Sequence, residues 1–141
     1  MHRFLLLALL PLAACSGPGT STPAVTTTVM LDPTLGVFAF DDNATAATVQ
    51  GATPEAAALA YVGPPEAEGG GTVTAQTLAQ SSDRARVAVT ATNLLDDSVR
   101  DKRTLFVFSR RTGTWRLVAA GYQTRCQTGR GHQDWAAANC L

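Results

Sequence analysis

The pattern of apolar and polar residues becomes helical near residue 53, in "ATPEAAALAYVGPP". Thr53 has a side chain that accepts from free amides, Pro54 suits the first helical turn, and Glu55 complements the helix dipole. Gly63 and Pro64 end the pattern. The sequence therefore predicts one helix of about two to three turns, whose mostly alanine contacts allow close approach to a sheet.

Beyond the glycines of "EGGGT", the apolar period falls to two, the period of a β-strand. In residues 84–92, "RARVAVTAT", alanine and valine alternate with polar residues, and residues 72–79 form the predicted partner strand. The clearest hairpin joins residues 104–109 to 114–122. Both of its strands are apolar on both faces, so we expect them at the centre of the sheet. Residues 35–40 are a further candidate strand.

Together these elements predict an α+β domain: one N-terminal helix packed on a curved antiparallel sheet of about four strands, with a C-terminal disulfide-closed loop. The element order over roughly residues 53–125 resembles the cone-shaped fold of nuclear transport factor 2-like and cystatin-like proteins. Because that fold hosts enzymes and binding modules alike, the resemblance implies an architecture and no particular activity.

The first residues of the chain have the pattern of an export signal. Arg3 supplies a positive charge, residues 4–10 a short apolar run, and residues 12–15 a small-residue cleavage site. The apolar run is too short to span a membrane, because a transmembrane helix needs about 20 apolar residues.

Residues 12–15, "LAAC", resemble the lipobox of bacterial lipoproteins. The resemblance implies that Cys15 becomes the first mature residue and carries acyl chains, two or three of which anchor a protein firmly. Cleavage without lipidation, leaving a soluble exported protein, is the alternative. Ser16 after the cysteine implies the periplasmic face of the outer membrane if the host is Gram-negative.

These features divide the chain into three parts. Residues 1–14 are the predicted lipoprotein signal peptide, and residues 15–24 are a lipidated flexible tether, because they contain no large apolar residue. Residues 25–141 form a single small domain, best defined over 53–141.

Charge is unevenly distributed along a chain whose net charge is zero. Residues 15–83 contain seven acidic and no basic side chains, whereas residues 84–141 contain ten basic and four acidic ones. This asymmetry indicates either a face for polyanions or two halves that pack together and cancel, and we expect the second in so small a domain. Export argues against a nucleic-acid partner, and no cofactor is expected.

Cys126 and Cys140 are the two cysteines that remain once Cys15 is acylated, and an exported chain with one pair most simply forms one disulfide. Closing a loop of about 15 residues stabilises a protein by about 3 kcal/mol in the chain-entropy model. There are two alternatives to the disulfide. One is a metal site shared by Cys126, His132 and Cys140, and the other is a nucleophilic cysteine beside His132. No metal is expected, because the spacing of these residues lacks the paired CxxC or HxxxH form of zinc sites. The nucleophile is disfavoured because oxidation to a disulfide would make the cysteine unreactive.

The loop between these cysteines contains the candidate residues for binding a ligand or partner, Arg130, His132, Gln133 and Asp134. Glycines on either side of Arg130 let backbone amides turn toward one point, which together with the guanidinium can receive a carboxylate or phosphate. His132 and Asp134 are also a possible acid–base couple. A third interpretation is that the loop only hydrogen-bonds to itself. Trp135 is expected to bury against the domain edge.

Residues 94–103, "LLDDSVRDKR", are expected to form a solvated hairpin loop of mixed charge. Their aspartates suggest calcium, but the spacing is not that of a calcium loop.

The sequence as a whole predicts a cell-envelope lipoprotein, anchored by lipid at Cys15, that serves as a binding or assembly module for an unidentified envelope protein or anionic ligand. An envelope hydrolase using His132 and Asp134 is the alternative, and a purely structural assembly protein is the third possibility. No catalytic residue is assigned. The tail from Gly121 to Cys140 is similar to the ends of small, uncharacterised exported bacterial proteins, which implies no activity.

Overall fold

The computed structural model describes residues 28–46, 48–65 and 70–141, which contain seven strands and two short helices. The predicted signal peptide (1–14), the predicted acylation site Cys15 and the predicted tether (15–24) lie outside these residues. In chain order the elements are β1 (Thr28–Asp32), β2 (Gly36–Phe40), α1 (Asp42–Ala46), β3 (Gln50–Gly51), α2 (Pro54–Val62), β4 (Thr72–Gln80), β5 (Arg84–Thr92), β6 (Val99–Arg111) and β7 (Thr114–Cys126).

The fold class predicted from the sequence, one N-terminal helix on a sheet of about four strands, is wrong. Three strands and a short helix precede α2, and antiparallel sheet dominates the part of the chain that is described. The missed strands β1 and β3 show no alternation of their own: β3 has only two residues, and the apolar residues of β1, "TVMLD", are consecutive. They are strands because they pair with β2 and β7 respectively, and that pairing is not visible in their local sequence.

The strands lie in the order β1-β2-β7-β6-β5-β4, and β3 also pairs with β7. The hairpin of β6 and β7 is central, as its apolar character on both faces predicts. It is longer than predicted and turns through Thr112 and Gly113, whose φ values are 49° and 87°. Two consecutive residues with positive φ are typical of a type I′ turn, which matches the twist of the flanking strands.

The predicted helix is confirmed as α2. The Ala56 amide donates to the Thr53 side chain over 3.2 Å, and Gly63, with a φ of 82°, ends the helix. The small side chains of Ala57 and Ala58 are buried, so α2 lies close to the sheet. Neither helix in the described ranges is long and apolar enough to cross a membrane.

The central strands bury apolar side chains on both sides, which gives the domain two clusters. The larger cluster lies on the helix face, which is the side of the sheet covered by α1 and α2. On the hairpin face, the other side, Phe38 packs with Ala88 and Leu105 under the β1–β2 hairpin. Asp32 of this hairpin reaches Arg86 of β5, so the hairpin folds across the sheet. The buried members of the larger cluster are Ala44, Ala57, Ala58, Ala85, Val87, Val89, Phe106, Phe108, Trp115 and Ala120.

The hairpin crosses the sheet at Gly121 of β7. A Cβ atom placed there would lie 2.8 Å from the Leu31 Cδ1 and Phe38 Cβ atoms and 2.9 Å from the Ala39 carbonyl oxygen. Only glycine leaves room for so close an approach.

Candidate functional site

The predicted disulfide between Cys126 and Cys140 is present, with 5.5 Å between the two Cα atoms. Backbone hydrogen bonds hold the loop that it closes. The Cys126 amide donates to the His132 carbonyl over 2.9 Å, and Thr124 and Ala136 exchange two bonds of 2.9 and 3.1 Å. The loop is therefore attached to β7 at several points between its ends.

Within this loop, the ring of His132 lies between two main-chain carbonyl groups of the loop itself. Its Nδ1 and Nε2 atoms approach the backbone carbonyl oxygens of Asp134 and Ala138, at 2.9 and 3.0 Å. In the described part of the chain, the ring makes no hydrogen bond or ion pair with the Asp134 carboxylate. The structure thus places the two residues together without forming the acid–base couple that a hydrolase would need.

The other predicted binding residues, Arg130, Gln133 and Asp134, are exposed. The Gln133 amide donates to two loop carbonyls, over 3.2 and 3.3 Å, and its Oε1 lies 3.4 Å from a guanidinium nitrogen of Arg100. The Arg130 amide already donates to the Gln127 carbonyl, so it is not available to the predicted anion nest. Within the described ranges, the side chains of Arg130 and Asp134 form no hydrogen bond or ion pair, and both are accessible to a partner.

The three residues of the alternative metal site, Cys126, His132 and Cys140, do lie close together. The sulfurs of Cys126 and Cys140 and a ring nitrogen of His132 lie within 4.8 Å of one another. Because the two sulfurs are bonded to each other, they offer no thiolate to a zinc ion or to a substrate.

A buried carboxylate, that of Asp101, lies next to the loop and is not predicted by the local sequence pattern. Residues 94–103 were expected to form a solvated loop, but β6 begins within them and Asp101 is only 2 % exposed. Its Oδ2 accepts from Arg100 Nε over 2.8 Å and from Arg125 Nη2 over 2.9 Å, while its Oδ1 accepts from the Asn93 amide over 3.0 Å. Asp101 therefore joins β6 to β7 just before the disulfide loop.

The surroundings of Asp101 favour its ionised form. Burial alone would raise the pKa of Asp101, but the hydrogen bonds from Arg100 and Asn93 and the positive charges of Arg125 and Arg100 outweigh it. The pKa of Asp101 consequently lies below its ordinary value of 3.8.

Trp135 anchors the loop to this cluster. The centroid of its ring system lies 4.5 Å from the Cζ atom of Arg125 and 4.9 Å from that of Arg103. Trp135, which the sequence predicts to bury against the domain edge, is half-buried and stacks on these two cations. Arg103 donates to Gln123 Oε1 and has no carboxylate partner among the described residues. Burial lowers the pKa of Arg103, and the positive charge of Arg125 lowers it further.

On the opposite side of the sheet, the helix face, α2 leaves the ends of β5, β6 and β7 uncovered. Two adjoining cavities of about 470 and 310 Å³ lie there, and Leu94 and Lys102 line both. We call them together the Lys102 groove. One end reaches Cys140 of the disulfide, and the other end reaches Tyr61 and Val62 of α2.

No family model, curated protein or solved structure matches this chain. The resemblances to bacterial lipoproteins, to nuclear transport factor 2-like and cystatin-like proteins and to small exported proteins therefore stay predictions.

Proposed function

We propose that this chain is a lipoprotein of the bacterial cell envelope, held on the membrane by acyl chains on Cys15, whose domain binds an envelope partner through the Cys126–Cys140 loop. That disulfide-closed loop with exposed polar side chains is the observation that carries the proposal. Structural disulfides persist in oxidising compartments such as the periplasm, where the lipobox pattern would also direct the chain. In a Gram-negative host we assign it to the periplasmic face of the outer membrane.

Binding is favoured because the loop is already ordered before a partner arrives. The disulfide, the bridge from Thr124 to Ala136 and the ring of His132 each restrain it. A segment that is held in one conformation loses less entropy on association, so more of the contact energy appears as affinity.

The charge around the loop favours an anionic partner. The guanidinium groups of Arg100 and Arg125 share one carboxylate, that of Asp101, and each is about one-third exposed. Arg130 adds an exposed cation without an ion pair in the described ranges. Arginine binds carboxylates and phosphates through two parallel hydrogen bonds, so an acidic protein segment or an anionic envelope ligand suits this surface.

The hydrolase alternative has less support from the same loop. A general base must reach the proton that it removes, and both ring nitrogens of His132 already face main-chain carbonyl oxygens.

The anchor is tested by peptide mapping of the protein purified from host membranes, analysed by mass spectrometry. We expect an N-terminal peptide that begins at Cys15 and carries acyl chains, and a Cys15→Ser variant should leave the membrane fraction. An unmodified N-terminus on a membrane-free protein would refute the anchor.

Partner binding is tested with a photo-crosslinking residue in place of Gln133, in living host cells. We expect a discrete adduct whose yield falls several-fold in an Arg130→Ala background. Arg111→Ala is the matched control, because it removes an exposed cation from the end of β6 that is farther from the disulfide loop. If both backgrounds gave the same adduct yield, the loop would not be the recognition surface.

A further inference from the structure

The smaller cavity of the Lys102 groove, of about 310 Å³, is lined mostly by apolar residues. Tyr61 and Val62 at the end of α2 line it together with Val73 of β4, Val89 of β5 and Leu94. Cavity volumes of about 310 and 470 Å³ fall within the range of roughly 300–1,000 Å³ that is typical of small-molecule sites. Apolar walls of this size suit the hydrocarbon part of a ligand, which would leave water on entering.

Lys102 supplies the charge at the junction of the two cavities. Strand register places it opposite Ala91 of β5 and Thr124 of β7, and its Nζ atom lies 4.9 Å from the ring centroid of Tyr122. It is the only lysine in the chain, and it forms no ion pair with any described residue. An ammonium group beside apolar walls and without a carboxylate partner favours an anionic ligand group.

One carboxylate also lines the first cavity, that of Asp96. It is occupied by the turn that precedes β6, where its Oδ1 accepts from the amides of Val99 and Ser98 over 2.7 and 2.8 Å. These two backbone bonds lower the pKa of Asp96, so its charge is held by the main chain rather than by Lys102.

Exposed apolar side chains belong to the segments that border the groove. Leu95 is 60 % exposed and Leu141 is 81 % exposed. The segment 94–98 meets the end of the chain where the Ser98 hydroxyl donates to the Leu141 oxygen over 2.5 Å. Single exposed apolar side chains are ordinary on a protein surface, so the apolar character of the groove comes from its own lining residues.

We infer that the Lys102 groove binds a single-chain amphiphile with a carboxylate head, such as a fatty-acid-like molecule. Lys102 pairs with the carboxylate, and the chain lies along the walls formed by α2 and β5. This inference does not rest on the proposed function, because the groove lies on the helix face and uses none of Arg130, Gln133 or Asp134.

The single lysine allows a selective measurement. Reductive methylation with ¹³C-formaldehyde labels the Lys102 amine while preserving its positive charge, and the α-amino group gives a separate signal. The full chain carrying Cys15→Ser is used, so that no acyl chain or detergent competes for the groove. We expect dodecanoate to shift the Lys102 methyl signal saturably, whereas butyrate, which lacks the long chain, and dodecyltrimethylammonium, which lacks the anion, should shift it much less.

A second measurement compares variants by calorimetric titration with dodecanoate. We expect Lys102→Met to bind about tenfold or more weakly, because a charge-assisted hydrogen bond is lost. Arg111→Met removes one cation from the other end of the same strand and should bind like the parent. Circular dichroism establishes that both variants fold.

Three outcomes would overturn the inference. They are no saturable shift with dodecanoate, an equal shift with the cationic amphiphile, and equal weakening in the Lys102 and Arg111 variants. The second would indicate apolar adsorption without head-group recognition, and the third would indicate an effect of net charge alone.

Discussion

Asp101 and Arg125 form an ion pair between β6 and β7, with 2.9 Å between the Asp101 Oδ2 and Arg125 Nη2 atoms. The carboxylate is 2 % exposed, and the guanidinium also contacts the ring of Trp135 in the disulfide loop. A buried carboxylate is tolerated only when cations and hydrogen bonds compensate it. The pair therefore couples the stability of the sheet to the position of the loop.

Asp101→Asn keeps the size of the side chain but leaves Arg100 and Arg125 without their shared carboxylate. We expect the free energy of unfolding to fall by about 2–3 kcal/mol, less than for fully buried pairs because both guanidiniums are partly solvated. Urea denaturation measures this loss. Asp97→Asn, at an exposed neighbouring position, should have almost no effect, and an equal loss in both variants would contradict the role of Asp101.

Acid should destabilise the domain through the same carboxylate. The pKa of Asp101 is below 3.8 in the folded protein, because hydrogen bonds and neighbouring arginines outweigh the effect of burial, and it is about 3.9 in an unfolded chain. The stabilisation is therefore present above about pH 4 and disappears as the pH falls through the folded-state pKa. In urea denaturation between neutral and acidic pH, the free energy of unfolding should fall more steeply for the parent than for Asp101→Asn. Parallel curves for the two proteins would contradict a stabilising role of ionised Asp101.

Removal of the disulfide should increase the mobility of the loop more than that of the sheet. We expect the double variant Cys126→Ser, Cys140→Ser to lose about 3 kcal/mol of unfolding free energy, as the chain-entropy model gives for a loop of this length. Amide hydrogen exchange should accelerate in residues 127–139 and remain slow in β5 and β6. Reducing agent should reproduce the effect in the parent and leave the double variant unchanged. Protection that persisted in residues 127–139 would show that hydrogen bonds alone hold the loop.

His132→Ala and Asp134→Ala separate a structural from a catalytic role. The ring of His132 lies between two main-chain carbonyl oxygens, and an imidazole with one N–H can donate to one of them. Its loss should cost about 1 kcal/mol of unfolding free energy, whereas Asp134→Ala keeps the carbonyl that His132 contacts and should cost less than about 0.5 kcal/mol. Thermal unfolding measures the stability of the two variants, and a growth assay in the host measures their function. Equal loss of the host phenotype in two variants that fold normally would instead favour the hydrolase.

Gly121→Ala tests how closely the β1–β2 hairpin lies on β7. The added methyl group would approach the Ala39 carbonyl oxygen and the side chains of Leu31 and Phe38 to less than 3 Å. We expect a loss of about 1–3 kcal/mol, as for an overpacked core, measured by chemical denaturation. Unchanged stability would mean that the hairpin lies farther from the strand than the structure shows.

Several features of the fold followed from local patterns. The helix from Pro54, the strands around residues 72–79 and 84–92 and the central hairpin all appear where periodicity predicts them. Strands β1 and β3 did not, because their pairing partners rather than their own residues make them strands.

The candidate sites divide in the same way. The Cys126–Cys140 disulfide is predicted from the two cysteines that remain if Cys15 is acylated, and the anion-binding interpretation of its loop from the glycines that flank Arg130. Asp101 is not predicted to be buried, because a carboxylate among charged residues is normally solvated. Its burial depends on Arg125 opposite it in β7, together with Arg100 and the Asn93 amide. Lys102 had no recognisable motif at all, since its groove is built from α2, β5, β6 and β7.

By itself, the sequence determined the capped helix and the alternating strands, because these depend on residue type and on neighbours a few positions away. Only the tertiary structure decided the strand order, the burial of Asp101, the contacts of two guanidiniums with Trp135 and the groove at Lys102. Each of these depends on side chains that are far apart in the chain and come together only when the sheet forms, so their energies do not appear in any local pattern.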